Sequence, residues 1–194
     1  MDQTWRKRLV TTLLLILAVA SVFHTWWYYQ EHRVSIWLAL EELISTITFP
    51  FKLAQLSAED PVSEVPVPVH GVLLREIADT WGDARDQGRA HEGTDIFASR
   101  GTPVYAATRG FVVRTGYNQL GGVVVFTMGP GGIRYYYAHL DSIAEGIKPG
   151  IAVTTDTVIG FVGNTGNAET TPPHLHFGMY NRGPQNPYPF LVDR

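Results

Sequence analysis

Hydrophobic and polar positions follow three different rhythms along the 194 residues of this chain. From Leu9 to Gln30 the sequence LVTTLLLILAVASVFHTWWYYQ contains no Asp, Glu, Lys or Arg. An apolar run of about 20 residues is what a helix needs to cross a hydrocarbon core about 30 Å thick. From Val34 to Phe49 the apolar positions are Val34, Trp37, Leu38, Leu40, Ile44 and Ile47, near helical spacing, with Glu41 and Glu42 on the other side. That pattern predicts an amphipathic helix, which Pro50 is expected to end. Beyond residue 70 the rhythm shortens. PVYAA, GFVVRTGY, GGVVVFTM, IRYYYAHL, TVIGFVG and HLHFGMY are short runs rich in Val, Ile, Phe and Tyr, punctuated by glycine. Gly129 to Gly132, GPGG, reads as a hairpin connection. Strands at this spacing without intervening helical patterns predict a mainly β domain, an antiparallel sheet or sandwich.

Between these regions lies SAEDPVSEVPVPVHG, Ser57 to Gly71. Its prolines and acids describe an extended linker. The expected organisation is therefore a basic end and transmembrane signal anchor over 1–30, an amphipathic helical stalk over 31–56, a linker over 57–70 and a folded domain over 71–194. An oligomerisation helix is the sharper alternative for the stalk. Arg6, Lys7 and Arg8 precede the apolar run, which predicts a cytoplasmic N-terminus. Trp26, Trp27, Tyr28 and Tyr29 at its far end suit an aromatic belt. A signal peptide cleaved after Ala18-Val19-Ala20 competes with the anchor. The anchor is favoured because the apolar run continues past Ala20. Either way everything after residue 30 is exported, and the anchored form is a single-pass protein of the cytoplasmic (inner) membrane facing the periplasm.

Charge and cysteine content narrow the chemistry. The net charge is −3, and no Lys/Arg stripe with interleaved aromatics runs through the body of the chain, so no nucleic-acid partner is expected. There is no cysteine, which removes disulfide scaffolds and thiolate metal sites. Any metal must be held by nitrogen and oxygen.

The chain has seven histidines, and two of them, His174 and His176, alternate on one predicted strand. Residues two apart on a strand share a face, so both rings project together while Leu175 and Phe177 point the other way. A buried imidazole pair is costly unless both rings find partners, and a metal ion supplies one. Alone, His-x-His is weak evidence. HEGTD adds His91 and Asp95; it is not the helical His-Glu-x-x-His zinc motif, because its fifth residue is Asp. Gly93 also argues against a helix there. Two histidines and a carboxylate form a catalytic zinc ligand set that leaves one position open to water. His91, Asp95 and His176 supply those three ligands. His139, at the end of the Tyr-rich strand YYYAHL, and His174 remain as free imidazoles, suited to proton transfer near neutral pH. Glu92, beside a ligand, is expected to be an exposed bystander. Tyr135, Tyr136 and Tyr137 cannot all face the core. Thr165 and Gly166 lie in a loop that can rim the cleft.

Four blocks in order carry a resemblance over roughly residues 80 to 190: WGDARDQGRAHEGTDIFASRGTPVYAATRGFVVRTG, YYYAHL, GNTGNAETTPPHLHFGMY and NPYPFL. They resemble the lysostaphin-like (LytM-type) zinc endopeptidases of peptidoglycan. The resemblance implies a LytM-type fold of the duplicated-hybrid-motif kind and one zinc per chain. It implies His91, Asp95 and His176 as metal ligands, with His174 and His139 as the catalytic pair; which of the two is the base stays open. It further implies hydrolysis of peptide cross-links in peptidoglycan by a metal-activated water, for wall remodelling, with the wall peptide as partner. Three alternatives stand beside it: a silent LytM-type activator of a wall amidase, a metallopeptidase acting on proteins, and a structural sandwich with incidental histidines. The chain shows no wall-binding module, and His70 or an acid of the linker can be imagined folding back over the metal.

Overall fold

A computed structural model of the chain describes residues 3–85 and 88–194; the side chains of residues 3–11, 13, 29 and 32–35 lie outside that description. Two compact units divide at residues 48 and 49. One helix, α1 (Gln3–Ser57), supplies all the described residues of the first unit and the start of the second.

In the first unit Leu14, Leu15, Ile16, Leu17, Val19, Val22, Phe23, Trp26 and Trp27 are all exposed. Phe23 meets Trp26 edge-on and His24 stacks on Trp27, as one-turn spacing allows. Among the described residues no helix is long and apolar enough to cross a membrane, so the transmembrane helix expected over Leu9–Gln30 is not supported. The side chains of the basic cluster Arg6–Arg8 and of Tyr29 lie outside the description. The stalk is not a separate helix, because α1 is unbroken through residues 30–34. Pro50 does not end it either. A proline inside a helix costs about 3 kcal/mol. Packing offsets this in the last turns, where Phe49 meets Phe111 edge-on at 5.7 Å and Leu56 is buried.

The second unit is a mainly β fold. Its strands are β1 (Val65–Pro66), β2 (Ala84–Arg85), β3 (Arg89–Ala90), β4 (Thr94–Phe97), β5 (Pro103–Tyr105), β6 (Gly110–Asn118) and β7 (Gly122–Met128). There follow β8 (Arg134–Ile143), β9 (Ala152–Val153), β10 (Val158–Val162), β11 (His174–Tyr180), β12 (Pro184–Gln185) and β13 (Leu191–Val192). The main sheet runs β12-β11-β8-β7-β6-β9, every pair antiparallel. Three strands branch from it: β4 pairs with β11, β10 with β8, and β5 with β10. The GPGG connection joins β7 to β8, with Gly131 at φ 71° and Gly132 at φ 69°, a left-handed backbone that only glycine adopts freely. One core of Val, Ile, Leu and aromatic side chains lies under the sheet, including Ile96, Val104, Val125, Tyr135, Tyr137, Ile159, Leu175 and Phe177. Tyr136 alternates to the opposite face from Tyr135 and Tyr137.

The segment 57–70 is not a free linker. Val65, Val67 and Val69 are buried at period two, and β1 pairs in parallel with β13. The Val67 N–H donates to the Val192 carbonyl at 2.9 Å, and the Tyr105 N–H donates to the Pro68 carbonyl at 2.7 Å. Prolines at the intervening positions lack donors, which an edge strand tolerates. A chain that begins at residue 71 loses these three valines, each contributing roughly 1.5–3 kcal/mol by burial. Its urea midpoint is expected to fall by about 2 M or more, or the chain to precipitate; a midpoint equal to that of the full chain would contradict the packing.

Candidate metal centre and two free imidazoles

Register creates the centre. Across the β4–β11 pairing, His176 stands opposite Asp95 and His174 opposite Phe97. Asp95 and His176 therefore share one face, while Leu175 and Phe177 fill the core. His91 arrives from the loop before β4. Its Nδ1–H donates to the Thr80 carbonyl at 2.7 Å, which leaves Nε2 as the lone-pair nitrogen. Gly93 permits this approach: a Cβ there would stand 2.5 Å from Cε1 of His176 and 2.8 Å from the Phe177 carbonyl oxygen.

Three acceptor atoms converge as a result. His91 Nε2 lies 2.8 Å from His176 Nδ1, and each lies 3.1 Å from Asp95 Oδ1. His91, Asp95 and His176 form a group able to hold a metal ion, with His91 and Asp95 buried. Lone pairs this close repel one another unless a cation or a shared proton lies between them. Two imidazole nitrogens and one carboxylate oxygen suit zinc, whereas calcium would want more oxygens. The residues therefore fit the ion that the donor set implies. The other carboxylate oxygen, Asp95 Oδ2, accepts from Arg85 at 2.5 Å, which orients Oδ1 toward the two rings.

His139 and His174 flank the group, their rings 5.0 Å apart. His174 Nδ1–H donates to the Pro172 carbonyl at 2.9 Å, and His139 Nδ1–H donates to the Thr165 carbonyl at 2.8 Å. Each ring thus keeps Nε2 as its basic nitrogen. His139 reaches this face by an irregularity. Tyr135 and Tyr137 face the core, so plain alternation would send residue 139 there as well. Instead β8 carries an extra residue between the pairings Val125↔Tyr137 and Val123↔Leu140, and His139 sits at φ 62°. The bulge turns His139 to the metal face and restores Leu140, fully buried, to the core.

Burial dominates the electrostatics. It pushes His139 down to about 4, against the pull of the Thr165 carbonyl, and it lowers His176 as well. For Asp95 burial alone would raise the carboxyl, but the facing His176 and His91 rings outweigh it and hold the group well below the usual carboxylate range.

The structure thus brings together all five residues singled out in the sequence: His91, Asp95 and His176 at one point, His139 and His174 beside it. Glu92 is exposed. His70 engages Tyr105, ring centroids 6.0 Å apart, and not the metal group. Arg85 and Thr80 were not legible, because no spacing rule links a hairpin arginine or a backbone carbonyl to a carboxylate or imidazole ten residues on. Phe97, exposed and 5.1 Å from the His174 ring, carried no sequence signal beyond strand propensity. Tyr136 meets the His176 ring edge-on at 5.8 Å.

The model of peptidase family M23 matches residues 89–187, so the chain belongs to that family. An L-Ala–D-Glu endopeptidase of Bacillus subtilis is 44% identical over 124 residues, covering 58% of this chain and 38% of its own length. A peptidoglycan DD-endopeptidase of Vibrio cholerae, ShyC, is 38% identical over 97 residues, covering 50% of this chain and 22% of its own. The chain therefore spans well under half the length of these curated relatives. Among solved structures, the catalytic domain of the antimicrobial peptidase lysostaphin from Staphylococcus simulans superposes with a TM-score of 0.53 at 33% identity, over 60% of this chain and 93% of that one. The match supports the antiparallel β fold described above.

Two outcomes follow from this geometry. Gly93→Ala drives a methyl into His176, and zinc affinity measured by calorimetry should fall about 10- to 100-fold; an unchanged affinity would contradict the close approach. For the metal-free chain, stability should fall on acidification. Below about 6.5, the ordinary histidine value, the unfolded chain takes up a proton that folded His139 refuses until about pH 4. The stability is complete above that window and is lost as pH falls through it, by about 3 kcal/mol from His139, with His176 acting in the same direction. Asp95 adds a further loss only as pH falls below the ordinary carboxylate value of about 3.9. Urea unfolding at a series of pH values reads both.

Proposed function

We propose that this chain is a zinc-dependent endopeptidase that hydrolyses peptide bonds of peptidoglycan, and that its M23 unit works outside the cytoplasmic membrane, where that polymer lies. The observation that carries the proposal is the convergence of His91 Nε2, Asp95 Oδ1 and His176 Nδ1 beside two imidazoles with free Nε2 atoms. The printed activities of the relatives, an L-Ala–D-Glu endopeptidase and a peptidoglycan DD-endopeptidase, support the substrate class. A purely structural sandwich would have no reason to bury three converging acceptors.

His91, Asp95 and His176 would hold the ion. Zinc, when bound, polarises a carbonyl and lowers the pKa of water toward about 7. The remaining work falls to this chain's own side chains. Asp95 stays ionised at any physiological pH, and Arg85 orients it. His174 and His139 are each locked as the Nδ1–H tautomer, so each presents a basic Nε2. One takes the proton from the attacking water and returns it to the leaving amine; the other donates or accepts a hydrogen bond at the developing charge. His174 Nε2 lies 3.9 Å from Asp95 Oδ1, close to where the ligands meet. Phe97 and Tyr136 border the site, one against His174 and the other against His176.

The test uses the full chain, purified peptidoglycan and zinc analysis. The wild type should release peptide fragments and lose activity to a chelator, with zinc restoring it. His174→Ala should keep zinc yet cut about 100-fold or more slowly, the usual range for removing an acid–base group. His176→Ala should lose both zinc and cleavage. A His174→Ala chain that cuts as fast as the wild type, or a wild type that cuts nothing alone, would overturn the proposal; the second result would favour the role of a silent activator.

A further inference from the structure

Thr165 stands where three segments meet behind His139. Its hydroxyl donates to the Leu140 carbonyl at 2.8 Å and accepts from the Val123 N–H at 2.9 Å. Its own carbonyl accepts from His139 Nδ1–H at 2.8 Å. One residue thus ties the start of β7, the end of β8 and the loop after β10 to the imidazole between them. The packing leaves little freedom. A Cβ on Gly122 or on Gly166 would collide with the facing backbone, so the loop and the β6–β7 turn touch directly. The His139 N–H donates to the Gly121 carbonyl at 2.7 Å, and the Asn167 N–H donates to the Leu120 carbonyl at 3.0 Å. From outside, Arg100 pairs with Asp141 and with the Asn164 side-chain oxygen. The Asn164 amide donates to the carbonyls of Glu169 and Thr171.

His139 needs such a frame. It is a non-glycine residue at φ 62°, a conformation that persists only where its surroundings over-determine it. A neutral imidazole can also carry its proton on either nitrogen, and only the Nδ1–H form leaves Nε2 basic. The carbonyl that selects this form belongs to Thr165, and the Thr165 hydroxyl fixes where that carbonyl points. Threonine suits the task because its branched side chain has few rotamers.

We propose that Thr165 is the positioning residue of the site: its hydroxyl holds its carbonyl in place, and the carbonyl keeps His139 in the bulged conformation and the Nδ1–H tautomer. This rests on the proposed hydrolytic role of His139. Thr165→Val keeps the shape and removes both hydroxyl bonds; Thr165→Ser keeps both. In the full-length, zinc-loaded chain, side-chain nitrogen NMR should show a single Nδ1–H tautomer at His139 for the wild type and Thr165→Ser. Thr165→Val should show both tautomers. On purified peptidoglycan, kcat of Thr165→Val should fall about tenfold or more, with KM within about twofold, zinc content unchanged, and Thr165→Ser near wild type. A Thr165→Val chain with a single Nδ1–H tautomer or wild-type kcat would overturn the proposal. So would a loss that appears only in KM or in zinc content. If Thr165→Val does not fold, Arg100→Gln loosens the same loop from the surface. Mixed tautomers and a several-fold lower kcat then support the proposal, and wild-type values overturn it. Failure of the wild type to cut peptidoglycan would defeat the hydrolytic role, while the NMR result would still decide whether Thr165 sets the state of His139.

Discussion

Three lone pairs aimed at one another from about 3 Å are the constraint around which this unit is built. His91 Nε2, Asp95 Oδ1 and His176 Nδ1 can lie together only with positive charge between them. Everything nearby serves to hold that arrangement. The β4–β11 pairing places Asp95 opposite His176. The Thr80 carbonyl fixes the His91 tautomer, and Arg85 occupies the spare carboxylate oxygen. Gly93 removes the one side chain that would keep the loop from His176. Such outer contacts orient ligands before an ion arrives, which lowers the reorganisation that binding requires.

The second layer of order concerns protons. His139 and His174 each hand their Nδ1–H to a backbone carbonyl, one through Thr165 and the other through Pro172. Backbone carbonyls in pinned loops are more rigid donors' partners than mobile side chains, so the tautomers are set by the fold itself. Burial then keeps His139 neutral at physiological pH, pushed down to about 4. The same burial makes the site a liability in acid, since neutral His139 resists a proton that the unfolded chain accepts.

The N-terminal half shows how packing overrides local signals. Pro50 reads as a helix stop, yet α1 passes through it, held on either side by the Phe49–Phe111 contact and by buried Leu56. The prolines and acids of 57–70 read as a linker, yet the valines between them alternate into the core while β1 pairs with β13. In both places composition pointed one way and the burial of a few apolar side chains pointed another. Burial prevailed, because the buried area offsets the cost of a missing backbone donor.

The sequence by itself determined the chemistry and the class of fold. The absence of cysteine restricted any metal to nitrogen and oxygen ligands. Glycine-punctuated apolar runs called for antiparallel strands, and the strict period of a strand placed His174 and His176 on one face. Those properties are local, so they survive in one dimension. Only the tertiary structure decided that His139 joins them. By alternation with Tyr135 and Tyr137 it belongs in the core, and the bulge that rescues it depends on Gly121, Val123 and Thr165, none adjacent to it in sequence. Arg85, Thr80 and Thr165 were hidden for the same reason: their contacts are set by how strands and loops pack, and no spacing along the chain encodes that.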